Sequence, residues 1–429
     1  MGLRIVHIGE SLLPQFGGTA AALRNTANLL AARGMEVTVL LPDSGDALSE
    51  LRLDGGVRRV TCAPWGPRRL GFSYDLKRRI AEVGKPDLIH LHGLWRLYCR
   101  QGWQYAVQNN IPTILSTHGM LEPAALSQKK WRKSVARWLF QDRLLNRVDC
   151  LHTTSAAEAH RVQAMGFKPP VAVIPLAVEV DAWAKADATA AAADFGGKRM
   201  VLLMSRFHPH KGIDLLLHAW KLIEGEFKDW TLGLFGYDEN GYRSRMQRLA
   251  AKCDIADRVV FGGPVQGEEK RRLMARAEVF ILPSRSESFG LVIPEALAAG
   301  VPVITTTRTP WECIARQACG WYVEPTPAAI ATALRQAMSQ PAAALREMGR
   351  RGSALIAENY SPQAIGNALV QTYAWMIDNE ARPSFVLQEG DNAPCAYRPP
   401  SSPGVDVERL DATNDAATAL AMPRTGRRR

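Results

Sequence analysis

Short, uniformly apolar runs recur along the chain with helix-spaced stretches between them. Arg4-Ile5-Val6-His7-Ile8 reads as a strand, an alanine- and leucine-rich stretch from about Thr19 to Arg33 reads as a helix, and Val37 to Leu41 reads as the next strand. Leu88 to Leu91, Thr113 to Ser116, Cys150 to Thr153 and Val171 to Ile174 continue the series. A second series opens with Met200 to Met204 and runs through Thr231 to Phe235, Val259 to Phe261, Val279 to Pro283 and Val303-Ile304. Helical periods fall between these at Ile213 to Glu224, Tyr242 to Cys253 and Leu291 to Ala299, with two more between Pro327 and Glu358. Strands without an apolar-polar alternation are buried on both faces, as in parallel sheets flanked by helices. The pattern therefore predicts an α/β protein with two doubly wound, Rossmann-like parallel sheets.

The same pattern divides the chain. Residues 1–178 form a first domain, and the alternation lapses over 179–197, where the alanine-rich piece Ala186 to Ala193 reads as a linker. Residues 198–360 form the second domain. Ser361-Pro362 then opens an amphipathic helix, 361–379, carrying Ala364, Leu369, Tyr373 and Trp375. From Glu380 to Arg429, Pro, Ser, Asp and Ala dominate without apolar periodicity, which predicts a disordered tail.

A chain of 429 residues with 47% hydrophobic content is long enough for two cores. The first strand leaves no room for a signal peptide and no apolar stretch nears the ~18 residues of a membrane span, so a cytoplasmic protein is expected. Seven scattered cysteines without a Cys-x-x-Cys pair suggest neither a disulfide framework nor zinc. Of the net charge of +11, most lies early: residues 1–180 hold 23 Lys and Arg against 14 Asp and Glu, an excess of 9. That asymmetry suits an anionic partner, whether a membrane surface, a diphosphate-linked molecule or nucleic acid, and also suits a merely solvated surface.

Candidate chemistry gathers at the carboxyl ends of predicted strands. Arg285 to Gly300 sets two carboxylates, Glu287 and Glu295, eight positions apart across a strand-to-helix junction, with Phe289, Gly290 and Leu291 offering amides where the helix starts. Ser205-Arg206-Phe207-His208-Pro209-His210-Lys211-Gly212 places Arg206 and Lys211 in another such loop, a planar fork beside a compact point charge. His208 and His210 lack a carboxylate or Cys at ligand spacing, so no metal site is read there. Gly17-Gly18 lies between the first strand and first helix and departs from the Gly-x-Gly-x-x-Gly fingerprint of dinucleotide enzymes. Ser116-Thr117-His118-Gly119-Met120-Leu121-Glu122-Pro123 and His92-Gly93-Leu94-Trp95 each follow a strand. Lys129-Lys130-Trp131-Arg132-Lys133 with Arg137-Trp138 fits either an anionic interface or a solvated basic helix with its indoles packed inward.

The run from Glu287 to Glu295, with Phe289, Gly290, Pro294 and Ala299 to Ile304, resembles the Glu-x7-Glu motif of the retaining glycosyltransferases of family 4, which have the GT-B fold. The resemblance implies two Rossmann-like domains facing across a cleft, and a C-terminal helix that crosses back to the first. It implies sugar transfer from a nucleoside diphosphate without the Asp-x-Asp metal motif of the other major glycosyltransferase fold, so no cofactor and no metal are expected. By that resemblance Arg206 and Lys211 contact the diphosphate, Gly17 and Gly18 close over it, and His118 bonds the donor sugar. Glu287 orients that sugar and Glu295 holds the ribose. Gly236, Val265, Phe289, Gly290 and Leu291 complete the donor site through backbone contacts, while His92 and Trp95 face the acceptor. The wording His-Gly-Met-Leu-Glu-Pro resembles the subgroup that builds bacterial surface polysaccharides, implying a carbohydrate or lipid-linked acceptor and a peripheral place on the inner membrane face through Lys129 to Trp138. Nucleic acid is not expected as a partner. UDP and GDP donors both remain open, as do two alternatives: a GT-B epimerase or hydrolase of sugar nucleotides, and a noncatalytic basic binding protein.

Overall fold

The structure, a computed structural model, describes residues 2–13, 17–43, 53, 56–67, 70–184, 197–378, 380–391 and 397. Two parallel sheets organise it. The first has eight strands in the order Val386–Leu387, Val171–Val173, Cys150–Thr153, Thr113–Ser116, Leu88–His92, Arg4–Ile8, Glu36–Pro42 and Val57–Cys62. The second has six, in the order Val259–Phe261, Trp230–Phe235, Arg199–Met204, Val279–Leu282, Val303–Thr306 and Gly320–Val323. In both, the strand order reverses beside the first strand of the unit, so loops at the carboxyl ends diverge and leave a crevice there. The expected α/β class with two parallel-sheet domains is what the structure shows.

Each sheet is sealed on both faces. Ile5, Val37, Val39 and Ile114 pack on one side of the first sheet with Leu23, Leu30 and Tyr373, and Val6, Ile8, Leu91 and Leu115 pack on the other with Tyr98 and Val162. The second sheet does the same around Trp220 and Leu334 on one face and Phe289 and Leu297 on the other. The helix Pro362–Asp378 returns to the first domain, burying Ile365, Leu369 and Tyr373 in that core. Arg33, two residues past the end of the helix Gly18–Ala31, ties it down by donating to the carbonyls of Pro362 at 2.8 Å and Gln363 at 3.2 Å.

The linker drawn at 179–197 contains a short helix, Val180–Ala184, and its alanine-rich part lies outside the described residues. The expectation of disorder from Glu380 onward is corrected for 380–391. Val386–Leu387 pairs antiparallel with Val171 and Ala172, and Phe385, Val386 and Leu387 are buried. The physical reason is an edge: the Val171–Val173 strand would otherwise present open amides and carbonyls, and three consecutive apolar residues cover it. Two other strands of these sheets escaped the sequence pattern, Val57–Cys62 and Gly320–Val323, both at sheet edges, as did the separate two-stranded pair Pro64–Trp65 and Phe72–Ser73.

Candidate active site

The strand Arg199–Met204 ends in a loop that bends through a short 3-10 turn, Pro209–Lys211, before the helix Ile213–Lys221. Lys211 therefore projects sideways to the next strand's loop, where its ammonium pairs with Oε1 of Glu287. That oxygen also accepts from Ser284 Oγ at 2.8 Å, and the Glu287 amide donates to the Arg308 carbonyl at 3.1 Å. Arg285 braces the same loop with a two-pronged contact to Asp214, both distances 2.7 Å. Arg206, about half exposed, reaches Glu239 at 2.6 Å.

The helix after this loop begins at Val292, with Leu291 as its cap, and runs seven residues to Ala298. Glu295 thus lies in its first turn, its side chain only 13% exposed, and pairs with Lys270 at 2.5 Å. Burial raises the Glu295 carboxyl pKa against the pull of Lys270. Gly236 sits at φ 152° where the strand Trp230–Phe235 ends. A side chain there would drive its Cβ into the Ser205 carbonyl, so only glycine lets these two strand ends lie together.

The opposite wall is built on the first domain. His118 has φ 48° and Gly119 φ 70°, so the chain after the strand Thr113–Ser116 turns sharply. A fully buried carboxylate, Glu158, holds that turn. It accepts from Thr117 Oγ1 and the Gly119 amide at 2.6 Å each, and from the Thr154 amide at 3.0 Å and hydroxyl at 3.1 Å. Behind the turn, His118 Nε2 meets His92 Nδ1 at 3.1 Å, and His92 Nε2 meets His7 Nδ1 at 2.9 Å. Burial lowers the His118 and His7 imidazoles to about 3, and holds His92 well below its usual range.

The two walls come close. A Cβ on Gly119 would lie 2.5 Å from that of Ser288, and one on Gly17 would lie 3.8 Å from Arg206 Nε. Between them lies a cavity of about 730 Å³. Gly17, Gly18, His118, Arg206, Lys211, Val265, Glu287, Phe289, Gly290, Leu291 and Glu295 all line it, drawn from both domains. Gly236 supports the wall from the strand end without lining it. A second cavity of about 560 Å³ adjoins Glu287 and Phe289 and is edged by Arg161, Arg285 and Arg308.

His92 corrects the sequence expectation. It is 1% exposed and lies behind His118, so it meets that ring rather than an acceptor. The strand runs one residue past the predicted end, to His92, and the alternation of a strand puts His90 and His92 on one face inside the sheet. Trp95 stays at the surface fringe with φ 69°, its amide donating to Gln141 at 2.8 Å, and does not line the donor-side cavity.

Sequence reasoning missed Glu158 and Lys270. Ser155-x-x-Glu158 opens the helix Ala156–Ala164 and has the wording of a capping box, with Ser155 Oγ accepting from the Glu158 amide at 3.2 Å. The carboxylate, however, serves the His118 turn as well as the helix start. Lys270 belongs to the highly charged helix Gly267–Arg276, where nothing in the spacing separates it from its neighbours.

Comparison with known proteins agrees with this geometry. Residues 16–182 match the family model described as Glycosyltransferase Family 4, and residues 186–354 match that described as Glycosyl transferases group 1. The chain is 30% identical over 387 residues to the D-inositol 3-phosphate glycosyltransferase of Streptomyces avermitilis, covering 83% of this chain and 82% of that one. Among solved structures, the sucrose-phosphate synthase of Thermosynechococcus elongatus superposes with a TM-score of 0.75 at 24% identity, over 88% of this chain and 100% of that one. HepE of Anabaena, in complex with UDP and glucose, superposes with a TM-score of 0.69 at 19% identity, over 87% and 99%. A two-domain parallel-sheet fold, matches to family models over both halves and this relative lead to one assignment: the chain belongs to glycosyltransferase family 4 and is an enzyme of the GT-B type.

Proposed function

We propose that the chain transfers a hexosyl-type sugar from a nucleoside diphosphate sugar to a carbohydrate acceptor carried on a lipid, with retention of configuration, in surface-polysaccharide synthesis. The observation that carries this reading is the convergence of His118, Arg206, Lys211, Glu287 and Glu295 on one cavity between the domains. In it, Arg206 and Lys211 take the diphosphate, Glu295 the ribose hydroxyls, and Glu287 with His118 the sugar. Departure of the diphosphate adds negative charge at the distal phosphate, where Lys211 and Arg206 stabilise it. The leaving oxygen takes the acceptor's proton on the same face of the sugar, and Glu287 orients rather than attacks. No metal or other cofactor enters the scheme. UDP bound to HepE and the UDP-forming trehalose-phosphate synthase of Burkholderia vietnamiensis, both similar in fold, favour a uridine donor.

Binding of a panel of sugar nucleotides, followed by NMR of the product's anomeric proton, tests the assignment. Inversion relative to the donor would sink the retaining mechanism, and donor breakdown equally fast without acceptor would favour the hydrolase or epimerase. The relatives named for D-inositol 3-phosphate favour, as a second reading, a small phosphorylated polyol acceptor, and the acceptor panel includes it.

Attachment to an anionic membrane face is part of the proposal. Trp131 is 68% exposed, Trp138 84% and Leu139 58%, and Lys129, Lys130 and Arg132 lie beside them on the surface. Indoles facing solvent among cations favour the interfacial arrangement over the packed one. Lys133 is an exception, since its ammonium turns inward to the Ala125 carbonyl and the Trp95 ring. Among the described residues no helix is long and apolar enough to cross a membrane. Sedimentation with phosphatidylglycerol vesicles should pull down the protein and spare a Trp131→Ala, Trp138→Ala variant; equal recovery of the two would remove this patch from the proposal.

A further inference from the structure

Four imidazoles on strands, His7, His90, His92 and His152, cluster behind the cavity with a fifth, His118, in the turn after the strand Thr113–Ser116. Register puts His7 opposite His90, and Ser116 opposite both His92 and His152. One chain of hydrogen bonds has a direction fixed by its end. The Ile174 carbonyl only accepts, so His152 Nε2 donates to it at 2.8 Å and His152 Nδ1 is a bare acceptor. Ser116 Oγ donates to that nitrogen at 2.7 Å and accepts from His90 Nε2 at 2.7 Å, which leaves His90 Nδ1 to accept from Tyr373 at 2.6 Å.

The second chain, His7 to His92 to His118, ends at His7 Nε2, a buried nitrogen with no partner among the described residues. A neutral imidazole carries one hydrogen, so two directions exist. If His118 donated inward, His7 would carry its hydrogen on Nε2 as an orphaned buried N–H. If His7 donates from Nδ1, only a lone pair is left bare there, and orphaned buried N–H groups are the rarer of the two. Donation then runs outward: His7 Nδ1–H to His92 Nε2, His92 Nδ1–H to His118 Nε2. The remaining nitrogen of His118, Nδ1, belongs to a ring that lines the cavity.

We propose that His7 and His92 are positioning residues that fix His118 as its Nδ1–H tautomer, so that a hydrogen rather than a lone pair faces the donor cavity. That hydrogen donates to a hydroxyl oxygen of the sugar, a step that rests on the glycosyl-transfer reading. Protonating His118 would reverse the chain and strand a hydrogen on His7, so the relay also opposes charge on the ring. Both features suit a group that must recognise a neutral hydroxyl beside a leaving diphosphate without adding a competing cation.

Two-bond proton-nitrogen correlation on nitrogen-15-histidine protein reads the tautomer directly, with His118 assigned by its loss in His118→Gln. The expected pattern is a protonated Nδ1 and a bare Nε2, constant between about pH 8 and 6.5. His7→Met, whose thioether accepts but cannot donate, should let His92 donate from Nε2, shift the His118 pattern toward Nε2–H and lower kcat about 10-fold, the worth of one hydrogen bond, with nucleoside diphosphate affinity unchanged. His7→Gln, which keeps an N–H in reach of His92, should restore both. A wild-type His118 carrying its hydrogen on Nε2 overturns the proposal, as does a His7→Met pattern or kcat equal to wild type. Failure of every sugar nucleotide to bind would instead strike the glycosyl-transfer reading and leave the tautomer result standing.

Discussion

The buried histidines make the first domain sensitive to mild acid. His7, His90 and His92 are 1% exposed or less, and burial depresses each pKa, His7 to about 3 and the other two well below the usual value, with neighbouring imidazoles adding to the effect on His90 and His92. The folded state therefore excludes protons that the unfolded chain accepts once pH falls below its histidine pKa of ~6.5. Because the unfolded state binds more protons, stability is full above pH 6.5 and declines as pH falls toward the folded pKa values. Each excluded proton is worth about 1.4 kcal/mol per pH unit, so at pH 5 His7 alone costs about 2 kcal/mol, and His90 and His92 add to the loss in the same direction. That is a substantial part of the stability of an ordinary domain, about 5–15 kcal/mol. Denaturant titrations at pH 7.5, 6.5, 5.5 and 5, followed by tryptophan fluorescence, should show a flat stability above 6.5 and a steep fall below it. A loss smaller than about 2 kcal/mol between pH 7.5 and 5 would mean that these rings take up protons without unfolding, and would refute the neutral hydrogen-bonded arrangement.

Three further perturbations act on the cavity walls. Lys211→Ala removes the cation beside Glu287 and should lower kcat by about 100-fold or more in a sugar-transfer assay; a loss below 10-fold would place the diphosphate elsewhere. Glu158→Gln exchanges an acceptor oxygen for an N–H facing the Gly119 amide or the Thr117 hydroxyl, and should cost about 1–3 kcal/mol in denaturant unfolding while lowering kcat more than nucleotide affinity. Lys270→Met strands the largely buried Glu295 without its counter-charge and raises its pKa further, so donor KM should rise as pH falls toward the carboxylate range. A KM profile identical to wild type would detach Glu295 from the donor.

Much of the second domain's wall was legible because its parts are contiguous. Arg206 and Lys211 lie in one loop, Glu287 in another with Glu295 in the helix turn that follows it, and strands buried on both faces announce themselves by composition, so the loops could be placed at strand ends. The first domain's wall was not legible in the same way. His7, His92 and His118 sit on or beside three different strands, and only the order of strands in the sheet brings them together. Sequence shows His-Leu-His at 90 to 92 but not that the strand continues to His92, and one residue of extension turns a supposed acceptor contact into a buried support. Edge strands were lost for a related reason. Val57–Cys62 carries exposed Arg58 and Arg59, and Val386–Leu387 is two residues inside a polar stretch, so neither gives the buried pattern.

The ion pairs give the spacing of Glu287 and Glu295 a further meaning. Three cations lining the cavity already have a carboxylate: Lys211 has Glu287, Arg206 has Glu239, and Lys270 has Glu295. A diphosphate entering this cavity competes for Lys211 and Arg206, and any carboxylate it displaces would be left partly buried without its counter-charge, which is costly. Sugar and ribose hydroxyls are donors, and a hydrogen bond from a hydroxyl to a carboxylate is charge-assisted, worth about 1.5–3 kcal/mol. Under the proposed reading, a complete sugar nucleotide therefore repays Glu287 at one end and satisfies Glu295 at the other. Pyrophosphate brings the same negative groups but no hydroxyls, and would take the cations while stranding the carboxylate beside them. On that proposal the carboxylate pair selects for the sugar and ribose by penalising ligands that lack them, and the cations between supply the attraction that either ligand would feel.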